Sequence, residues 1–325
     1  MKKTTKIVLG LIVIVLVALL IWGSNNNTSK ITTVKFGHLP IVQALPIYVA
    51  IEKGYFKDEG LNIEDTKFES PNQMIDSLIS GNIDVAMGAA TGITAIAESK
   101  KPGSLRIFAV QGGDEKHIPD ALIVSKDSSI SSITDLKGKK VGTLPGIQWK
   151  TIARNIFASN NIDIDKDLTL VELAIPLQTQ SLASKQVDAL LTLEPVITIA
   201  ESKNISKNLV VSPNLTYISN PFYAGVGNVS VSFMTKNPEA FKKVMKVLNK
   251  ATDEINQNPD MYRNYLVNYT PLTPELANKV NLPIYKMYKD INPKDTEAVQ
   301  KFIDIFVKYN VITNKVNASD LIIKK

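Results

Sequence analysis

Two seven-residue stretches of this chain share the pattern G-x-L-P-x-[VI]-Q: Gly37–Gln43 (GHLPIVQ) and Gly142–Gln148 (GTLPGIQ). Each is followed in step by a second landmark. Ile83-Asp84-Val85 places its aspartate 47 residues after Gly37, and Val187-Asp188-Ala189 places its aspartate 46 residues after Gly142. A single short match is easily found in a long chain; two matches that keep register over a whole supersecondary unit imply shared architecture.

The flanking residues give that unit a grammar. ITTVKF before the first loop is β-branched and reads as a strand. ALPIYVAIEKG reads as a helix with Pro46 in its first turn and Gly54 at its end. LNIEDTKF reads as a second strand. Ser70, Pro71 and Gln73 open a helix of capping-box type that ends at Gly81. NIDVAMG reads as a third strand. The second unit repeats the order: GKKVG strand, IQWKTIARNIFAS helix, LTLVELAI strand, LQTQSLASKQ helix, VDALLTL strand. Alternating strands and helices predict an α/β fold with parallel or mixed sheets covered by helices. Right-handed crossovers bring the strand-to-helix loops to one sheet edge, where such folds bind ligands. Two units would present two such edges across a cleft, with one copy of the loop as the half-site of each.

Several quoted segments together, LPIYVAIEKGYFKDEGLNIE, SGNIDVAMG, ITDLKGKKVG and VDALLTLEP, resemble the solute-binding proteins of ABC importers for nitrate, sulfonates, taurine and thiamin-precursor pyrimidines. The resemblance covers about residues 31–260. It implies a two-lobed type II periplasmic-binding-protein fold that closes on its ligand and delivers it to a membrane permease with a separate ATPase. The chain itself carries no G-x-x-x-x-G-K-[ST] phosphate loop. The lobes are expected at 31–113 with 222–325 (lobe I) and at 114–221 (lobe II). The crossings fall near GGDEKHIPDALIVSK and SNPFYAGVGNVSVSFM.

Residues 1–30 read differently. Lys2, Lys3 and Lys6 precede an uncharged apolar run, Ile7–Trp22, followed by the polar stretch GSNNNTSK. The expected form is a signal anchor, with a cleaved signal as the alternative, because the exit lacks small residues in an A-x-A arrangement. The lysines would stay in the cytoplasm and the remainder lie outside, anchored at the membrane through residues 7–22. The net charge of +6 drops to about +2 once the four lysines of 1–30 are set aside, which argues against a nucleic-acid partner. No cofactor is expected. Zero cysteines and two histidines disfavour a metal site. A monomer is expected.

The candidate ligand residues are polar, aromatic or small groups in loops at the cleft edge. His38, Leu39 and Gln43 come from the first loop, and Met87, Gly88, Ala90 and Thr91 from the end of the third strand. Gln111 follows RIFAV; Gly146, Ile147, Gln148 and Trp149 open the second-lobe helix. Glu194 follows DALLTL, and Phe222 and Tyr223 lie at the return crossing. Free N–H groups at a helix start favour an anionic ligand end. Against that, Glu194 in a cleft would repel an anion, and none of the three arginines falls at a loop tip. The ligand is therefore expected to be neutral or amine-bearing. Gln43 and Gln148 can alternatively cap their own helices, and Trp149 can be core. The competing function is an enzyme on the same fold, of the pyrimidine-synthase type in thiamin biosynthesis; those enzymes use a histidine of their own.

Overall fold

A computed structural model describes residues 31–324. Its strands, in chain order, are β1 (Thr32–His38), β2 (Leu61–Lys67), β3 (Val85–Ala90), β4 (Leu105–Gly113), β5 (Asp120–Ser125), β6 (Lys140–Thr143), β7 (Thr169–Glu172), β8 (Ala189–Leu193), β9 (Ser206–Val211), β10 (Phe222–Ser230) and β11 (Ile284–Met287). They form two sheets, ordered β11-β4-β10-β3-β1-β2 and β7-β6-β8-β5-β9. The chain leaves the first sheet after β4, builds the whole second sheet, and returns as β10. That strand inserts antiparallel between β3 and β4.

The sequence repeat is a structural repeat. In the first sheet β1 pairs in parallel with β3, and in the second β6 pairs in parallel with β7 and β8. The repeated aspartates do the same work in each. Asp84 donates its N–H to Lys35 O at 2.8 Å, and its Oδ2 accepts the Lys35 N–H at 3.0 Å. Asp188 donates to Lys140 O at 2.8 Å and accepts the Lys140 N–H at 2.8 Å. The carboxylate thus satisfies an otherwise open backbone donor where the strand pair begins. The loop glycines are also equivalent. A Cβ at Gly37 would stand 2.6 Å from Ile83 and 2.9 Å from Phe68. One at Gly142 would stand 2.6 Å from Leu190 and 2.9 Å from Leu173. Phe68 N donates to His38 O and Leu173 N to Thr143 O, both at 2.8 Å.

Helices cover the sheets. Pro238–Gln257, apolar along Val244, Leu248, Ala251 and Ile255, packs beside Leu45–Glu52. Pro293–Lys308 buries Phe302 and Phe306 against Phe222 and the helix Thr91–Lys100. Gly81 ends the helix Pro71–Ser80 in the left-handed region as expected, but the capping box at Ser70 does not form. The Ser70 side chain makes no cap bond, and Gln73 faces solvent. Among the described residues no helix is long and apolar enough to cross a membrane, and no group of three or more histidine or acidic side chains could hold a metal ion. The expected anchor at residues 7–22 lies outside the described residues.

Candidate functional site

The two loop copies end on glutamines with different fates. Gly146 (φ 103°) precedes the helix Ile147–Ala158. Its left-handed backbone suits glycine, and a Cβ there would stand 3.2 Å from Asn72 Oδ1, so the two units approach closely at this point. Gln148 does not cap its own helix. Its Oε1 accepts the N–H of Gly92 at 2.7 Å, in the first turn of Thr91–Lys100, and its Nε2 donates to Ala224 O in β10 at 3.1 Å. A side chain of the second unit thereby supplies the acceptor that the first unit's helix start requires. Gln148 is only 4% exposed; its bond with Gly92 is buried and its bond to Ala224 half-buried. Thr91 Oγ1 donates to Tyr223 O at 2.8 Å and fixes the same helix to β10.

Glu194 forms a second tie. It is fully buried after β8. Its Oε2 accepts the Thr198 N–H at 3.0 Å, and its Oε1 accepts Thr198 Oγ1 at 2.9 Å and Asn281 Nδ2 at 3.1 Å. Burial pushes the Glu194 carboxyl up to about 7, with the Thr198 and Asn281 donors acting against the rise. Asn281 follows the helices Pro238–Gln257 and Pro274–Ala277 and leads into β11. The carboxylate is therefore engaged within the chain, and the expectation that it repels an anionic ligand loses its basis. Nothing in the sequence links Asn281 to Glu194, 87 residues apart; sequence reasoning missed it, as it missed Gly92, Ala224 and Asn72.

The remaining candidates divide by environment. His38 is buried with Nε2 3.1 Å from Asp65 Oδ2 and Nδ1 3.1 Å from Tyr48 Oη. Tyr48 donates to Leu39 O at 2.6 Å and stacks on Tyr269. This cluster holds the first loop from beneath. Gln43 sits in the single turn Val42–Ala44, and its Oε1 has no hydrogen-bond partner among the described residues. Met87, Gly88 and Ala90 belong to β3, as the end of the third strand predicts, whereas Gln111 of β4 and Phe222 and Tyr223 of β10 are strand residues where loop positions were expected. The strands run on because β10 supplies partners to both neighbours up to Ala90 and Gln111. Phe222 packs on Phe302, and the Tyr223 hydroxyl donates to Asp295 at 2.6 Å. Trp149 lies in the core at 3% exposure beside Ile147.

Residues 42–261 match the family described as NMT1/THI5 like. The chain belongs to that family. A Bacillus subtilis relative, named for binding aliphatic sulfonates, is 23% identical over 96% of this chain and 94% of its own length. The 4-amino-5-hydroxymethyl-2-methylpyrimidine phosphate synthase of Aspergillus parasiticus is 26% identical over 80% of this chain and 75% of its own. The alkanesulfonate-binding protein of Xanthomonas axonopodis pv. citri, solved with MOPS bound, superposes with a TM-score of 0.73 at 16% identity, covering 90% of this chain and 99% of that one. This NMT1/THI5-like chain therefore has the two-sheet α/β fold of periplasmic binding proteins.

Proposed function

We propose that this protein is the extracytoplasmic solute-binding component of an ABC importer. It would capture a small molecule of the nitrate, sulfonate, taurine or pyrimidine class by lobe closure and hand it to a permease served by a separate ATPase. The lobes are 31–113 with 222–325, and 114–221, and residues 7–22 hold the protein at the membrane. The observation that carries this reading is Gln148: a buried side chain of one unit closes on the helix start and return strand of the other. On this reading the contact forms when the two halves meet over a ligand and breaks when they part to release it. Family membership and relatives named for sulfonate binding support the same reading.

The synthase relative favours the alternative, an enzyme. The histidines count against it. His38 is enclosed by Asp65, Tyr48 and Tyr269, and His117 bonds Asp114 on the surface. Calorimetric titration of the full chain with nitrate, bicarbonate, taurine, an alkanesulfonate, thiamin and a hydroxymethylpyrimidine tests the proposal. Saturable one-to-one binding of one class is expected. Turnover of any of these, or no binding by all, would count against an importer component.

A further inference from the structure

The first sheet has a second edge, far from the ligand candidates. β3 and β4 begin there, and β10, antiparallel to both, ends there: Val229 pairs with Val85 and Ser230 with Leu105. Ala90 and Gln111 sit toward the other ends of β3 and β4, about 20 Å away along the length of β3. A cavity of about 580 Å³ opens at the far edge. Of its lining residues, Leu78 and Phe233 are buried, whereas Ser232, Thr235, Lys101 and Lys236 are exposed. An apolar base thus carries a rim of hydroxyl and ammonium groups. One carboxylate lines the cavity, Asp84, and its Oδ2 accepts the Lys35 N–H at 3.0 Å. Among the described residues neither Lys101 nor Lys236 pairs with a carboxylate. Two such ammonium groups around one cavity attract an anion. Lys35 and Lys100, exposed on the same edge, add to that field, while Lys242 is offset by Glu239 at 2.8 Å.

The chain enters the sheet at this same edge. Lys35, bonded to the lining residue Asp84, lies in β1 four residues after Ile31, the first described residue. Eight residues separate Ile31 from Trp22, the end of the apolar run; fully extended they span at most about 30 Å. With residues 7–22 in a bilayer, the cavity is therefore held within reach of the headgroup layer. An anionic phospholipid headgroup suits the lining: phosphate oxygens for Lys101 and Lys236, and ester and glycerol oxygens for Ser232 and Thr235.

We propose that this edge of the first sheet rests on the membrane, and that the cavity between Lys101 and Lys236 takes the headgroup of an anionic phospholipid. The proposal goes beyond the importer reading and takes from it only the anchor at residues 7–22. In this pose the ligand edge of the sheet points away from the bilayer, toward arriving solute. Handing solute to a permease requires leaving the pose, so headgroup binding and delivery compete.

The test uses the full chain on vesicles of phosphatidylcholine, alone or mixed with phosphatidylglycerol. A fluorophore on Asn82→Cys, exposed beside the cavity residue Gly81, reports energy transfer to acceptor-labelled headgroups; one on Gln180→Cys, exposed on the other unit, is the control. Transfer from position 82 should rise when phosphatidylglycerol is present, and transfer from position 180 should not. The rise should vanish when Lys101→Gln and Lys236→Gln are combined; both side chains are exposed, so the variant should melt as the wild type does. Equal transfer from position 82 on both vesicles, or a rise that the double variant keeps, would overturn the proposal. If the chain does not float with phosphatidylcholine vesicles, the anchor reading fails and flotation becomes the readout. Binding about tenfold or more stronger with phosphatidylglycerol, lost in the double variant, would then support the headgroup site; no difference between the vesicles would overturn it.

Discussion

Gln148 Oε1 accepts the Gly92 N–H at 2.7 Å across the gap between the two sheets, and the same carboxamide donates to Ala224 O. Neither bond can survive separation of the two units. Each buried bond contributes about 1 kcal/mol net, so Gln148→Ala should weaken solute binding by about tenfold or more while leaving the fold intact. Calorimetry on whichever solute binds checks this. Changing Gln43 and Gln148 together to Ala without loss of affinity would defeat the half-site account of the repeated loop.

Asn281→Ala acts on the other tie. It removes a side-chain donor from Glu194 but leaves both Thr198 donors in place, so the buried carboxylate is not stranded. Binding should weaken about three- to tenfold, and the far-ultraviolet circular dichroism should not change. Thr198→Val removes a donor from within Glu194's own unit and should instead lower thermal stability, with less effect on affinity.

The six strands of the two repeat units, their order in the chain and the match between the units were legible in the sequence because each depends on local pattern; β9 and β11 were not read. The Gly-to-Asp spacing encodes a strand pair whose first backbone donor needs the aspartate, and that need is identical at Asp84 and Asp188. What Gln43, Gln148 and Glu194 do was not legible. Each was recognised as a polar group at a sheet edge, but its partners lie far away in sequence and depend on how the units meet. Glu194 is the sharpest case. Read alone it is a charge facing a ligand; with Thr198 and Asn281 in place it is an internal joint. Trp149 beside Gln148 looked equally suited to stacking or core, and only packing decides between them.

Gly92 carries a steric prediction. A Cβ at this position would stand 2.0 Å from Phe306 Cζ, inside the buried cluster of Phe302 and Phe306. Gly92→Ala should cost about 1–3 kcal/mol or more from overpacking and disturb the N–H that Gln148 needs. Phe306→Leu should restore much of the melting temperature in the double variant. Failure of that rescue, with each single variant folded, would place the strain elsewhere.

Asp120 gives a pH prediction. It is buried at the start of β5, and burial raises its carboxyl to about 7 against the donors of Asn214. Between its unfolded value near 4 and about 7 the native state binds the extra proton. Its contribution to stability therefore falls as pH rises through that window and is flat above it. Asp120→Asn removes the cost of a buried charge, so the variant should melt above wild type at pH 8, with the gap closing toward pH 4–5. Melting curves at pH 5, 6, 7 and 8 check the sign; a gap that stays constant across that range would refute it.

The central claim is that the two sheets close on a solute and that Gln148 holds them together. The chain has no cysteine, so nitroxide labels at Gln73→Cys and Gln180→Cys, exposed positions on helices of opposite units, report one distance by pulsed electron spin resonance. The account predicts a short distance that lengthens or broadens in Gln148→Ala and shortens again when the solute identified by calorimetry is added. One unchanged distance in the wild type and in Gln148→Ala, with and without solute, would contradict it.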